Sequence, residues 1–148
     1  MEAIDYEEIR QLLGHYNLAI DLGDPDAWAA CFTPDGVFEC LGVPDGNPFG
    51  GRHSGLAQLR AYAATHFSIA KGNARHWNAN LVIDDTSDGD HTAATMTCYM
   101  LALSVGGVAL AGSTGIYRDE LRKVNGSWLF TSRVITLDPP RPPKPPKS

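Results

Sequence analysis

The sequence predicts an α+β domain in which N-terminal helices pack in the concave face of a curved antiparallel sheet. Two textures carry this prediction. Apolar residues near the N-terminus recur at helical spacing, whereas residues from Arg75 onward alternate with period two. Helices first and a meander of long strands afterwards put the helices on one face of a curled sheet.

The first helix is expected over residues 5–22. Ile9, Leu12, Leu13, Tyr16 and Ile20 form its inner stripe, and Gly23 is its stop. Asp24-Pro25 supplies a capping acid and a proline suited to a first helical turn, so a short second helix follows through residues 28–32. Thr33-Pro34-Asp35-Gly36 is turn chemistry leading into a short strand at 37–41. Residues 42–55 are rich in glycine and proline and are expected to be loop. Ser54 is placed to cap a third helix with Leu56, Leu59, Tyr62 and Ala63 on one side. Four strands follow at about 75–85, 91–104, 108–121 and 127–137. Ser87-Asp88-Gly89, Gly106-Gly107 and Asn125-Gly126 separate them, the last being the strongest hairpin signal in the chain.

The 148 residues suit a single domain, expected over 1–138. Residues 139–148 form a proline-rich basic tail, expected to be extended or disordered. That tail carries Arg141, Lys144 and Lys147 and no acid, so the net charge of −5 understates the acidity of the body. An acidic body repels phosphate backbones, which argues against nucleic-acid binding. No apolar run reaches membrane-span length, and Met1 to Asp5 lacks the order of a signal peptide, so a cytoplasmic location is expected. Cys31, Cys40 and Cys98 form no C-x-x-C pair and are expected to be small buried hydrophobes. His15, His53, His66 and His91 share no metal-ligand spacing, and no nucleotide, flavin or haem signature occurs. No metal and no cofactor are therefore expected.

Two residues stand out chemically. At 100° per residue Asp21 lies on the edge of the apolar stripe, near a helix C-terminus where an acid opposes the macrodipole. His76 opens a strand, and alternation places His76, Asn78 and Asn80 on one face and Trp77, Ala79, Leu81 and Ile83 on the other. If the polar face lines a pocket, His76 is its natural base. Tyr16 sits on the inner stripe of the first helix and needs a hydroxyl partner. Arg133 falls between Leu129 and Ile135 on one face of the last strand and needs an anion or a carboxylate.

An ordered set of motifs then becomes recognisable: Tyr16…Asp21-x-Gly23-Asp24, Trp28…Phe32-Thr33-Pro34-Asp35-Gly36, Arg75-His76, Gly115-x-Tyr117-x-Asp119 and Gly126-x-Trp128…Arg133. Over residues 5–137 the chain resembles the SnoaL-like branch of the NTF2-like, or cystatin-like cone, superfamily. The set Tyr16, Asp21, His76 and Arg133 is similar to that of the cofactor-free lyases, among them scytalone dehydratase, bile-acid 7α-dehydratase and hexachlorocyclohexane dehydrochlorinase. The resemblance implies that His76 removes a proton from carbon while Asp21 holds its other nitrogen. It further implies that Tyr16 donates to an oxygen, and that Arg133 orients the Asp or stabilises negative charge. The ketosteroid isomerases share the pattern of the first helix, but their general-base aspartate falls at Cys40 here, which argues against that route.

The expected function is a cofactor-independent lyase of dehydratase type, or an isomerase, acting on a small apolar ring compound. A non-catalytic ligand-binding or assembly module is the alternative. Asn78, Trp28, Cys40 and Tyr99 are expected to contact the ligand. Trp77 with the Thr95, Thr97, Tyr99, Leu101 row leaves a sheet face needing cover, so a homo-oligomer, dimer or trimer, is expected.

Overall fold

The computed structural model describes residues 1–140. The element order is α1 (Ala3–Leu22), α2 (Pro25–Ala29), β1 (Phe32–Leu41), β2 (Gly51–Ser54), α3 (Leu56–Ala70), β3 (Ala74–Asp85), β4 (Ala93–Ser104), β5 (Leu110–Val124) and β6 (Ser127–Leu137). The strands form one unclosed sheet in the order β2-β1-β6-β5-β4-β3. The meander β3 to β6 is antiparallel throughout, as the turn signals require.

One pairing departs from the all-antiparallel expectation. β1 runs parallel to β6, making the sheet mixed. The chain leaves β1 through β2 and α3, enters the meander at the far edge, and returns to β1 only with its last strand. β2 lies inside the stretch expected to be loop; its four residues Gly-Arg-His-Ser carry no apolar pattern and pair antiparallel with β1. β1 begins at Phe32 rather than 37 and α2 stops at Ala29. The Thr-Pro-Asp-Gly turn is therefore absorbed into β1 as a break in register between Phe32 and Val37. Ser54 ends β2, and Gly55 rather than Ser54 occupies the N-cap of α3.

Both ends of α1 are pinned to the sheet by carboxylates. At the N-terminal end, buried Asp5 accepts from Lys123 Nζ (2.7 Å), Trp128 Nε1 (3.0 Å) and the backbone N–H of Glu2 (2.9 Å). These donors hold its carboxyl at about 2. Asp21 anchors the other end on β3. Between them Ile9, Leu12, Leu13, Tyr16 and Ile20 are buried, which is the expected stripe. Gly23 ends the helix in the left-handed region at φ 80°, donating back to Ala19 O. A Cβ there would lie 2.7 Å from the Phe67 ring, so α3 closes on α1 only because this residue is glycine.

Two bulges reset side-chain phase. Asn80 takes φ 55° and the β3–β4 register shifts between Ala79 and Val82. His76 and Asn78 face inward before it; Leu81 and Ile83 face inward after it. The expected grouping of Trp77 and Ala79 with Leu81 and Ile83 is thus incorrect: Trp77 and Ala79 lie on the exposed outer face. In β6 a shift opposite Glu120 and Leu121 likewise separates inward Trp128 and Phe130 from inward Arg133 and Ile135. Leu129 therefore does not share a face with Arg133. Of the expected tail, Pro139 and Pro140 are exposed and outside any helix or strand; the rest lies outside the described residues.

Candidate active site

Asp21 and His76, 55 positions apart, meet where α1 ends over β3. Asp21 Oδ2 accepts the backbone N–H of His76 at 2.9 Å, and Oδ1 contacts His76 Nδ1 at 2.5 Å. Each carboxylate oxygen has its own donor, which offsets the unfavourable placement of an acid at a helix C-terminus. The two-point contact fixes both partners. The side chains of Asp21 and His76 are 6% and 15% exposed. An Nδ1–H donated to the carboxylate puts the lone pair of the neutral ring on Nε2, away from Asp21. His76 lines a cavity of about 230 Å³ in the concave face of the sheet, so that lone pair belongs to the cavity wall.

The cavity takes its shape from four sources. Tyr16 and Ile20 of α1 and Tyr62 and His66 of α3 line it from the helices, and Phe38, Cys40, Met100, Tyr117 and Ile135 from the sheet. Val43, Asn47 and Phe49 of the β1–β2 connection cover it. The Tyr62 hydroxyl donates to Phe49 O at 3.2 Å and ties that cover to α3. Gly50 permits the tight loop, since a Cβ there would strike the Val43 side chain. The wall is apolar with few polar groups, the usual make-up of a small-molecule site.

Tyr16 is buried on this wall, its ring 6.5 Å from Tyr117 and edge-on to it. Burial raises both phenols, so each stays protonated and able to donate. Behind them Arg133 is fully buried, its guanidinium 4.2 Å from the Tyr16 ring centroid and 3.8 Å from that of Tyr117. This cation opposes the effect of burial on the two phenols. The carboxylate beside Arg133 is Asp119, at 3.5 Å, not Asp21, and Arg133 is not part of the cavity wall. Its expected contact with Asp21 is therefore not made. Burial pushes the Asp119 carboxyl upward, against the pull of Arg133.

The ligand-contact candidates fare unevenly. Cys40 lines the cavity, with burial pushing its thiol up to about 11, so it is an inert thiol there. Trp28 is buried against Tyr62, ring centroids 5.6 Å apart, and supports the wall from behind. Asn78 accepts from Asn17 Nδ2 at 2.7 Å and donates to Tyr99 O at 3.1 Å, so its amide ties α1 to the sheet. Tyr99 alternates outward on β4 and is 54% exposed on the convex face. Trp28, Asn78 and Tyr99 thus lie outside the cavity wall. Phase alone does not tell a wall residue from one a layer behind it.

Tyr117 and His66 are wall residues for which the sequence predicts no role in the pocket. Tyr117 sits in a motif that was noticed but given no role. His66 was weighed only as a metal ligand, yet it continues the Leu59, Tyr62, Ala63 stripe at the next helical position. Among the described residues no cluster suited to a metal ion occurs.

Fold and site together define a cone-shaped α+β domain enclosing an apolar pocket with a carboxylate–imidazole pair on its wall. The pattern of the SnoaL-like domain matches residues 1–134, and the chain belongs to that family. Among solved structures it is similar to a protein of unknown function with a cystatin-like fold from Nostoc punctiforme, at 25% identity over 96% of this chain and 97% of that one, TM-score 0.77. ActVI-ORFA from Streptomyces coelicolor is 25% identical over 95% of this chain and 100% of that one, TM-score 0.78. A scytalone dehydratase-like protein of Novosphingobium aromaticivorans is 24% identical over 91% and 85%, TM-score 0.74, and shares the fold. No curated protein matches with significance. Among the described residues no helix is long and apolar enough to cross a membrane.

Proposed function

We propose that this protein is a cofactor-independent lyase of dehydratase type, or an isomerase, acting on a small apolar ring compound. The observation that carries the reading is the two-point contact of Asp21 with His76 on the wall of a largely apolar cavity. His76 Nε2 takes a proton from a ring carbon, and the electron pair moves into an adjacent carbonyl. Asp21 holds the tautomer that makes Nε2 basic and stabilises the imidazolium that forms. In an elimination the carbon–oxygen bond beyond breaks and the leaving hydroxyl takes the proton back from His76, releasing water. In an isomerisation the same proton returns to a different carbon. Tyr16 donates to an oxygen of the ligand, and Arg133 acts on it through the phenol ring as a positioning charge.

The test is turnover by Asp21→Asn and His76→Ala against a panel of hydroxylated cyclic ketones, with loss of water or isomerisation followed by mass spectrometry and NMR. Each substitution is expected to lower turnover by about 10²–10⁴-fold. Full activity in both variants ends the base assignment. Tight binding without turnover by the unaltered protein favours a ligand-binding module instead.

A further inference from the structure

The cavity wall holds a second imidazole that this reading does not use. His66 projects from α3 on the stripe of Leu59, Tyr62 and Ala63, and its ring centroid lies 5.4 Å from that of His76. The residue is buried and its Nδ1 has no hydrogen-bond partner among the described residues. A neutral imidazole carries one N–H. Placed on Nδ1, that N–H is an orphaned buried donor; placed on Nε2, only a lone pair goes unpaired, which is the more tolerable loss. Hence Nε2 carries the hydrogen, and it is the nitrogen left to address the cavity.

We infer that His66 is a ligand-contacting residue of this pocket, its uncharged ring donating Nε2–H to a carbonyl oxygen adjacent to the carbon that His76 faces. The surroundings keep the ring uncharged: burial, with His76 beside it, lowers His66 to about 4, against the weaker opposite pull of Asp21. The two imidazoles then have complementary jobs. His76 offers a lone pair, because Asp21 takes its N–H. His66 offers an N–H, because nothing takes its lone pair. A ketone bridges the gap between the rings with its oxygen on His66 and its neighbouring carbon on His76. Proton removal breaks the carbon–hydrogen bond, delivers the proton to His76 Nε2, and sends the electron pair to the oxygen held by His66. Reversal restores both. A cavity of about 230 Å³ sets the ligand at one or two rings.

The binding claim concerns His66 alone; only its catalytic consequence rests on the base assignment above. The experiment separates the two with 1-indanone labelled with ¹³C at the carbonyl. Infrared difference spectra of the bound ketone report hydrogen bonding to the oxygen, and NMR in D₂O reports exchange of the protons beside it. On the unaltered protein the carbonyl band is expected to shift to lower frequency and exchange to be catalysed. His66→Phe should lose the shift, weaken binding about tenfold and slow exchange roughly 10²-fold. His66→Gln, which keeps an N–H donor, should recover most of the shift. His76→Ala should abolish exchange and leave the shift intact. Failure of the unaltered protein to bind the ketone at millimolar concentration, an unshifted bound carbonyl, or a shift that survives His66→Phe overturns the inference. A shift that needs His66, with exchange absent or indifferent to His76→Ala, upholds His66 and overturns the base assignment.

Discussion

At the residue scale, a buried side chain's role follows from which of its hydrogen-bonding atoms are already engaged. His76 and His66 are the same residue type in one cavity, and their different partners are what lead us to propose one as a base and the other as a donor. That difference has a thermodynamic signature. An unfolded histidine binds a proton at about 6.5, whereas folded His66 binds one only at about 4. Between those values the unfolded state carries a proton that the folded state lacks. Stability therefore falls as pH drops from 6.5 towards 4 and levels off below, by at most about 3 kcal/mol. Urea unfolding at a series of pH values, on the unaltered protein and on His66→Phe, checks this. The other groups facing His66, Asp21 and His76, remain in both proteins, so the difference in slope isolates the ring. Identical slopes would show that His66 is not held uncharged.

The same scale explains what was legible beforehand. Helical phase puts Asp21 on the edge of the apolar stripe and Tyr16 within it, strand phase puts His76 on a polar face, and a family pattern joins them; Asp21 and His76 are in contact, and Tyr16 and His76 line the cavity. Arg133 was singled out rightly as a buried cation needing a carboxylate, but phase does not say which carboxylate, and Asp119 beside it on the neighbouring strand takes that place. Tyr99 illustrates the opposite failure. Alternation with Thr95, Thr97 and Leu101 already puts it on the outward face, opposite Cys98 and Met100, which is incompatible with the ligand contact also expected of it.

At the scale of elements, the long periodic segments were legible and their interruptions were not. α1 and the four meander strands carry enough residues for their period to declare itself. A bulge is a single residue, and Asn80 in the left-handed region looks like any other polar strand residue until it flips the phase of Leu81 and Ile83. The parallel β1–β6 pair joins residues as far apart as Phe32 and Phe130, with no local signal of its own. Glycine is where element-scale reasoning makes its sharpest prediction. Gly14 and Gly23 belong to the same helix and its cap. A Cβ at Gly14 meets nothing within 4 Å, whereas at Gly23 it strikes Phe67 at 2.7 Å on a backbone of φ 80°. Gly14→Ala should stabilise the protein by about 0.5–1 kcal/mol, since alanine loses less backbone freedom in a helix. Gly23→Ala should destabilise it by about 2–4 kcal/mol, combining left-handed strain with a clash in the α1–α3 contact. Urea midpoints of the two variants test the account, and a matching sign of change would refute it. Because Asp21 sits two residues before Gly23, the second variant should also loosen the grip on His76, seen as a changed His76 ring signal by NMR.

At the scale of the molecule, the sheet has two faces with different occupants. The concave face is filled by α1, α2 and α3 and encloses the cavity. The convex face has no cover among the described residues, yet it shows Trp77, Val82 and Tyr99, at 63%, 56% and 54% exposed. Exposed aromatics on this scale, in a row across neighbouring strands, are the mark of an interaction face. Charges of both signs share this face toward the start of β4: Arg118 and Arg122 on β5, Glu120 between them, and Asp84 on β3, all exposed. A face that carries an apolar patch beside charges of both signs is complementary to a copy of itself, because a two-fold rotation can bring each arginine over an acid. The expected occupant is therefore a second copy of this chain. Sedimentation velocity at micromolar concentration should show a dimer, or a trimer if the copies close around a three-fold axis, and Trp77→Lys should return the monomer by burying a charge at the centre of the contact. Trp77 lies across the sheet from His76's side of β3, so this variant should still bind 1-indanone with an unchanged carbonyl shift. A monomeric unaltered protein, or an assembly indifferent to Trp77→Lys, removes the convex face as the site of association.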